Sequence, residues 1–388
     1  MIILGIDTSC DDTSIGIIKA QNNKGNFKIL SNIISSQVNI HKKYGGVYPM
    51  LAKREHQKNL VFVFKKALKK ANLLKIKNKK SEKDNKIQTI EKTLSREEIL
   101  KNELIKFLEK YEKPKIDILS VTTGPGLDPC LWVGLNFTKS LSYYWEIPIV
   151  PANHIQSHIL VNFLDFNFKE INSFFPAVSL IVSGGHTQII LIKNIGKYKI
   201  LGETLDDAAG ECFDKTARIL NLEYPGGPKI AEKAKKIKNK NLKYNISLPR
   251  PMINSKNYDF SFSGLKTAVL YKTLKDKNNL KNERYIEEMC WEIQQSVIDV
   301  LIKKTIKAAK DYKAKAIFLG GGVSANNELR RQFKEKIKQE KLKINFFVPP
   351  KDLCTDNGIM VAISGYFNYL KNKTKSWKKI KINGNLKL

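Results

Sequence analysis

Two distant segments of the chain share one pattern, which is an apolar run, a short polar turn and a second apolar run. The first segment covers residues 2–18 and turns at 7–13, and the second covers 177–192 and turns at 183–187. Small hydroxyl residues and glycines in such turns leave backbone N–H groups open to an anion. The pattern therefore predicts two related halves whose turns hold a phosphorylated ligand in a nucleotide cleft.

Apolar residues at strand and helix spacings predict that both element types alternate along the rest of the chain. The predicted strands lie at residues 27–36, 116–123, 147–151, 316–319 and 344–348. The predicted helices lie at residues 51–72, 131–145 and 357–370, from about 327 onwards, and over most of 205–310. This alternation indicates an α/β protein with mixed sheets. We divide it into an N-terminal domain, 1–152, and a C-terminal domain, 153–388, which carries the helical insertion at about 205–310.

Helix 51–72 has an apolar stripe in which Leu60, Phe64 and Leu68 lie about one turn apart. That spacing predicts one buried face and one polar face. We expect His56 on the polar face.

The stretch 75–113 is interpreted as an insertion in the N-terminal domain. Residues 72–92 form a Lys-rich segment with seven lysines, which predicts a surface loop. Ser95 and Glu98 then have the spacing of a capping box, ahead of one amphipathic helix. Long surface insertions cost little stability, so this one needs no function.

Composition is that of an ordinary globular protein, with 42% hydrophobic and 9% aromatic residues. The apolar runs are shorter than the ~20 residues of a membrane-spanning helix, and the first residues lack a basic signal-peptide region. We therefore expect no membrane association. The five cysteines are scattered without a C-x-x-C pair, which favours a reducing cytoplasm over a disulfide framework.

The formal net charge of +31 has two explanations. Lys and Arg neutralise phosphates, so the charge fits a nucleic-acid partner. Lys, Asn and Ile also use A/T-rich codons, so codon bias explains it equally well. No aromatic-interleaved RNA-binding pattern accompanies the lysines, and charge alone leaves both explanations open.

His154 and His158 lie one helical turn apart, a spacing that suits a single divalent metal. Two histidines are half a site, so spacing alone leaves metal binding open. The residues between them include no glutamate, which argues against a protease of the H-E-x-x-H type. Asp356, before the last helix, is either a ligand or an ordinary N-cap, and the cap is the simpler interpretation.

Two other turns carry candidate chemistry. Residues 320–326 contain three glycines between a predicted strand and a predicted helix, where the backbone can lie against a base or ribose. The alternative is that the glycines allow tight helix–strand packing and that Ser324 caps the helix. Asp7, Asp11 and Asp12 crowd three carboxylates into the first turn. A bound cation or a water held for chemistry would account for them, and solvated turn acids are the alternative.

Taken in order, nine blocks closely resemble the TsaD family, the threonylcarbamoyl transferases of tRNA modification once described as O-sialoglycoprotein endopeptidases. The blocks run nearly end to end and comprise residues 5–13, 124–126, 154–158, 183–188, 206–216, 224–228, 259–267, 320–326 and 354–358. The resemblance implies an actin-like fold of the sugar-kinase/Hsp70 ATPase type, with two related mixed-sheet domains around a nucleotide cleft.

The activity implied by the resemblance uses threonylcarbamoyl-AMP, supplied by a separate synthase. The threonylcarbamoyl group is transferred to N6 of the adenosine 3′ of the anticodon in tRNAs reading ANN codons. Bacterial relatives act with a non-catalytic paralogue of the same fold (TsaB-like) and a small ATPase (TsaE-like), and we expect both here.

The resemblance also implies site residues. His154, His158 and Asp356 match the ligands of one divalent ion, iron or zinc, and an adenine nucleotide is expected in the same cleft. The residues matching the rest of the adenylate site are Ile181, Val182, Ser183, Gly184 and Gly185 for the phosphate and carbamoyl side, Asp214 and Gly227 for the ribose, and Asn326 for the adenine. Asp11 and Asp12 are our candidates for the base that takes the proton from the amine.

The sequence departs from the family in three places. Asp7 and Asp12 stand where many relatives have glutamate, Asp128-Pro129 replaces a small pair after Gly126, and 75–113 has no counterpart that we recognise. Three other functions stay open: a small-molecule kinase of the same superfamily, a metalloprotease, and a basic RNA-binding module without enzymatic activity.

Overall fold

The computed structural model describes residues 1–21, 25–78, 86–237 and 242–388, which form two compact units. Unit 1 comprises Met1–Ile40, Val47–Lys169 and Asp356–Leu388, and unit 2 comprises His41–Gly46 and Glu170–Thr355. The division differs from the predicted domains, 1–152 and 153–388. It assigns the C-terminal segment to unit 1 because the last long helix packs on the first sheet.

Unit 1 contains a five-stranded sheet in the order β3-β2-β1-β4-β5. Its strands are β1 Ile2–Asp7, β2 Asp12–Gln21, β3 Gly25–Ser36, β4 Ile118–Gly124 and β5 Ile149–Asn153. The first three strands form an antiparallel meander, and β4 and β5 continue from β1 in parallel. Strands β1 and β4 are buried along almost their whole length, as expected for strands covered on both faces.

Unit 2 repeats this topology in a second sheet, in the order β10-β9-β6-β7-β8. Its strands are β6 Ala177–Val182, β7 Thr187–Asn194, β8 Lys197–Glu203, β9 Ala316–Gly320 and β10 Asn345–Phe347. Strands β6, β7 and β8 form the antiparallel meander, and β9 and β10 extend from β6 in parallel. The predicted pair of related mixed sheets is confirmed.

Helices cover the sheets. They are α1 Val38–His41, α2 Pro49–Lys70, α3 Lys86–Thr93, α4 Glu98–Lys110, α5 Asp128–Trp145, α6 His154–Leu160, α7 Phe168–Ser173, α8 Ala209–Ile219, α9 Gly226–Ala234, α10 Ser263–Lys275, α11 Glu283–Asp311, α12 Asn327–Gln339 and α13 Gly358–Leu370. Helices α2 and α13 pack on the first sheet, and α11 packs on β6 in unit 2. Within the described residues, none of these helices has the length and apolarity needed to cross a bilayer.

The predicted surface loop at 72–92 is confirmed at 72–78, which contain no helix, and is wrong at 86–92. Residues Lys86–Thr93 form α3, whose Ile90 is buried, and 79–85 lie outside the described residues. The predicted capping box is also absent from the described residues, because α4 begins at Glu98 and its N-cap Glu97 makes no side-chain capping bond. The apolar face of α4 belongs to the core of unit 1, where Phe107 packs on Phe64.

Candidate metal centre and ligand-binding turns

The two histidines lie at the carboxyl edge of the first sheet. Strands β1, β4 and β5 are parallel, so their carboxyl ends share one edge, and β5 passes directly into α6. Asn153 starts that helix, because its side chain accepts a hydrogen bond from the backbone N–H of Gln156 at 3.0 Å. His154 and His158 are both buried, and their ring centroids lie 4.7 Å apart.

Asp356 reaches the same edge from the end of the chain. A Cβ on Gly5 would lie 2.2 Å from the carbonyl oxygen of Gly358, so the start of α13 rests directly on β1. Asn357 is the N-cap of α13, since its side chain accepts from the N–H of Met360 at 3.0 Å. The interpretation of Asp356 as the cap is therefore wrong. Its carboxylate faces the histidines instead.

His154, His158 and Asp356, which we call the candidate metal centre, present one ligand atom each within 4.8 Å of one another. Asp356 Oδ1 lies 3.2 Å from Nε2 of His158 and 3.5 Å from Nε2 of His154. Two imidazoles and a carboxylate are ligands that zinc and non-haem iron both accept.

A test of this fit comes from His158, which is 1% exposed. Among the described residues, its Nδ1 has no hydrogen-bond partner, and its Nε2 has only the 3.2 Å contact with Asp356. Burying an unpaired polar atom costs free energy. A metal ion would satisfy one of the two nitrogens, so the donor set fits the group.

Asp7 positions His154. Its Oδ2 lies 3.1 Å from Nδ1 of His154, and its Oδ1 accepts from the N–H of Ser9 at 2.7 Å. A proton on Nδ1 shared with this carboxylate leaves the Nε2 lone pair for a metal. Burial opposes protonation of His154, but the charges of Asp356 and Asp7 outweigh it and raise its pKa to about 9. A metal ion would therefore displace the Nε2 proton when it binds. Burial lowers the pKa of His158.

Sequence reasoning counted Asp7 only as one of three turn acids. The signal that points to its role is its place as the last residue of the central strand β1, which neighbours the parallel strand β4. Side chains at such strand ends converge.

The first turn carries Asp11 and Asp12. Burial raises the pKa of Asp12 to about 7, and the charges of Asp11, Asp356 and Asp7 add to the effect. Within the described part of the chain, Oδ1 of Asp12 is buried without a hydrogen-bond partner. A carboxyl group that titrates near neutrality is suited to general-base work.

His56 hydrogen-bonds to this turn. Its predicted position on a polar face is wrong. The side chain is fully buried. Its Nε2 lies 2.9 Å from the carbonyl oxygen of Cys10, and its Nδ1 lies 2.7 Å from Oγ1 of Thr13. These contacts fix the backbone on both sides of Asp11 and Asp12.

In unit 2, the turn between β6 and β7 is closed by its own backbone. The N–H of Ser183 donates to the carbonyl of His186 at 2.8 Å, and the N–H of His186 donates to Oγ of Ser183 at 3.1 Å. Gly184 and Gly185 are exposed, and a Cβ on either would meet no heavy atom within 4 Å. Ile181 and Val182 are fully buried, and their contacts with a ligand stay predictions.

Asp214 and Asn326 each stabilise a helix start in unit 2. Oδ1 of Asp214 accepts from the N–H of Gly226 at 2.7 Å, one residue before Gly227. Asn326, and not Ser324, caps α12 by accepting from the N–H groups of Glu328 and Leu329. Its Nδ2 also donates to Oε1 of Gln294 at 2.8 Å. Ligand contacts at Asp214, Gly227 and Asn326 stay predictions.

A family model described as "TsaD: tRNA N6-adenosine threonylcarbamoyltransferase" matches residues 28–78 and 97–363. The chain belongs to the TsaD family. The protein named tRNA N6-adenosine threonylcarbamoyltransferase from Thermosipho africanus is 42% identical over 372 residues, which are 96% of this chain and 95% of the relative. The protein of the same name from Bacillus subtilis is 39% identical over 371 residues, 96% of this chain and 91% of its own length. The predicted family and enzyme class, a transferase, are confirmed.

A solved structure supports the fold of this TsaD chain. Full-length HypF, in a phosphate- and nucleotide-bound form, superposes with a TM-score of 0.50 at 11% identity, covering 97% of this chain and 56% of HypF. At that identity the likeness shows the fold alone, and it confirms the predicted actin-like, sugar-kinase-type architecture.

The family match also shortens the segment that counts as an insertion relative to the family. The part of the chain that the TsaD model leaves unmatched between its two blocks is 79–96, and not the whole of 75–113. Helix α4 lies within the matched region, in agreement with its place in the core of unit 1.

Proposed function

We propose that this TsaD chain transfers a threonylcarbamoyl group from threonylcarbamoyl-AMP to N6 of an adenosine in tRNA. The acceptor is the adenosine 3′ of the anticodon in tRNAs reading ANN codons. The observation that supports the proposal most is the candidate metal centre, built from three of the family-matched residues in a chain 42% identical to a named transferase.

The chemistry needs a polarised carbonyl and an amine that loses a proton. One divalent ion, iron or zinc, held by His154, His158 and Asp356 would act as a Lewis acid on the carbamoyl carbonyl. Asp7 keeps the Nε2 lone pair of His154 directed at that centre.

Asp12 is our candidate for the base that receives the amine proton, with Asp11 as the alternative beside it. Its pKa of about 7 allows the carboxylate form to accept a proton at neutral pH. AMP is an activated leaving group, so no covalent protein nucleophile is required.

The adenylate part of the donor is assigned to unit 2. In the turn at Ser183, Gly184 and Gly185, the backbone N–H groups of the two exposed glycines would face the phosphate and carbamoyl side. Asp214 and Gly227 would hold the ribose, and Asn326 the adenine. The paralogue of the same fold, the small ATPase, the separate synthase and a cytoplasmic location also remain predictions.

The test is transfer of labelled threonylcarbamoyl, from synthase-made adenylate, onto unmodified tRNA with an ANN-reading anticodon. Wild type is compared with His158→Ala and with Asp352→Ala, a carboxylate four residues before Asp356 that is exposed. We expect metal-dependent labelling in wild type and Asp352→Ala, and its loss in His158→Ala.

Labelling that persists in His158→Ala would reject the role of the metal centre. No labelling with all partner proteins present, together with ATP-dependent phosphorylation of a small molecule, would assign the chain to the kinase branch. Binding of tRNA in His154→Ala without any transfer by wild type would favour a non-enzymatic RNA-binding module.

A further inference from the structure

Unit 2 has a long surface groove on its helical side. The groove is bordered by α11, α12, the end of α9 and the segment around residues 250–256, and its volume is about 1810 Å³. Its lining follows α11 from Trp291 to Asp311. At 1.5 Å per residue this is a length of about 30 Å, which is far longer than a mononucleotide.

The lining is strongly basic. It contains nine Lys and Arg residues and five Asp and Glu residues. Most of the carboxylates already have cationic partners, because Glu340 pairs with Lys310 and Lys336, and Glu328 and Glu335 pair with Arg331. The end of the groove near residues 250–256 therefore carries a net positive charge.

That surplus is concentrated on one face of α11. Lys303 Nζ donates to Oδ1 of Asn254 at 2.7 Å, and Lys307 Nζ donates to the carbonyl of Lys256. Both acceptors are neutral oxygens. They orient the ammonium groups without cancelling their charge. Lys304, between these two lysines, is buried and does not belong to this face.

We propose that this lysine face, Lys303 and Lys307 together with Lys256, binds the phosphate backbone of RNA, and that in this chain the RNA is the tRNA substrate. The inference rests on the proposed function for the identity of the RNA. Lys303 and Lys307 lie one helical turn apart, and Lys256 lies beside Lys307. Three neighbouring cations suit successive phosphates of one strand, whereas a free phosphate would need only one of them. A membrane is disfavoured because, among the described residues, the groove lining includes no exposed large apolar side chain.

The experiment measures binding of an unmodified tRNA transcript to the full chain by fluorescence anisotropy over a series of salt concentrations. The test variant is Lys303→Glu with Lys307→Glu. The matched control is Lys334→Glu with Lys338→Glu, because these exposed lysines have the same i,i+4 spacing on α12 but do not line the groove. The change in net charge and the spacing along the helix are thus equal in both variants.

We expect the test variant to lose about tenfold or more in affinity at low salt, and the slope of log Kd against log salt to fall by about 2. The control should keep both values near wild type. If Lys303→Glu with Lys307→Glu unfolds, Lys303→Gln with Lys307→Gln neutralises both charges without reversing them. It should show a smaller loss of tRNA affinity and of the salt slope.

Equal losses in the test and control variants, or no loss in the test variant, would overturn the proposal. So would a variant that keeps tRNA affinity but loses binding to poly-L-glutamate used as the probe, since the face would then fit an acidic polypeptide. The assay contains neither donor nor metal. A chain that binds tRNA through this face yet transfers nothing would overturn the proposed function and leave this inference standing.

Discussion

The carboxylate of Asp7 and the imidazole of His154 are 147 residues apart in the chain and meet at 3.1 Å. Asp7 Oδ1 is occupied by the N–H of Ser9, so Oδ2 is the oxygen that faces the ring. The pair thus defines which nitrogen of His154 carries the proton and which faces Asp356. The candidate metal centre depends on a fourth residue that is not a ligand.

Replacing that carboxylate tests the relationship. Asp7→Asn keeps the shape of the side chain but removes the charge that holds the Nδ1 proton of His154. We expect metal affinity to fall by about 10- to 100-fold, the usual effect of losing such a partner. Titration of the metal-free protein with Zn²⁺ or Fe²⁺ in a calorimeter measures it.

Asp117→Asn is the matched control for Asp7→Asn, because Asp117 also bonds to the first sheet, accepting from the N–H of Ile2 at 2.6 Å. It should leave metal affinity unchanged. An unaltered affinity in Asp7→Asn would show that His154 is oriented without this carboxylate.

The pH dependence of stability tests the environment of Asp12. Burial raises its pKa from 3.8 to about 7, so the folded state holds one more proton than the unfolded state between these values. Its contribution to stability is complete below the unfolded pKa and is lost as the pH rises through about 7. Asp12→Asn removes this dependence.

Urea unfolding of wild type and Asp12→Asn at about pH 5 and about pH 8.5 makes the comparison. Between these two pH values the variant should gain about 3 kcal/mol of stability relative to wild type. A difference that does not change with pH, or that favours wild type at the higher pH, would contradict the raised pKa.

Much of the fold could be predicted from local patterns. Branched apolar runs around polar turns predicted the first meander and the β6–β7 pair of the second, and other apolar runs predicted β4, β5, β9 and β10. Strand β8 and the parallel pairing of β4, β5, β9 and β10 were not predicted. The i,i+4 spacing of His154 and His158 predicted their shared helix face, because a helix fixes that geometry locally.

The parts that sequence reasoning missed depend on contacts between distant segments. The choice between Asp356 and Asn357 as the cap of α13 depends on how Gly358 packs on β1. No local sequence pattern predicts that contact. His56 looks like a surface residue by its neighbours along α2, and it is buried because Thr13 and Cys10 supply its partners. From sequence alone, polar residues that hydrogen-bond a turn to a distant helix are therefore hard to distinguish from polar residues exposed to solvent.

Core packing of α4 gives a third prediction. Phe107 lies 5.1 Å from Phe64 and 4.7 Å from Tyr111, measured between ring centroids, and is 4% exposed. Phe107→Ala should lower the free energy of unfolding by about 3–5 kcal/mol. Ile99→Ala, at a site 38% exposed on the same helix, should change it by less than about 0.5 kcal/mol.

Equilibrium unfolding in urea measures both variants. A small effect of Phe107→Ala would mean that α4 is a separable surface element, as the interpretation of 75–113 as an insertion assumed. A large effect would mean that only a shorter piece of this region is dispensable for the fold.

The turn between β6 and β7 provides the last prediction, because two nearby glycines have opposite surroundings. A Cβ on Gly184 would meet no heavy atom within 4 Å, so the protein itself gives no packing reason for glycine there. A Cβ on Gly210, in the first turn of α8, would lie 2.6 Å from the carbonyl oxygen of Ser183. That oxygen also accepts the N–H of Gly210 at 3.1 Å, so helix and turn are held at contact distance.

Gly184→Ala should therefore leave the melting temperature near that of wild type, whereas Gly210→Ala should cost about 1–3 kcal/mol because backbone has to move. If the donor phosphate lies against the turn, the methyl group of Gly184→Ala occupies its space, and the KM for threonylcarbamoyl-AMP should rise without loss of stability. An unchanged KM in a stable Gly184→Ala variant would remove this turn from the donor site. A rise in KM that appears only together with a lower melting temperature would attribute the effect to folding.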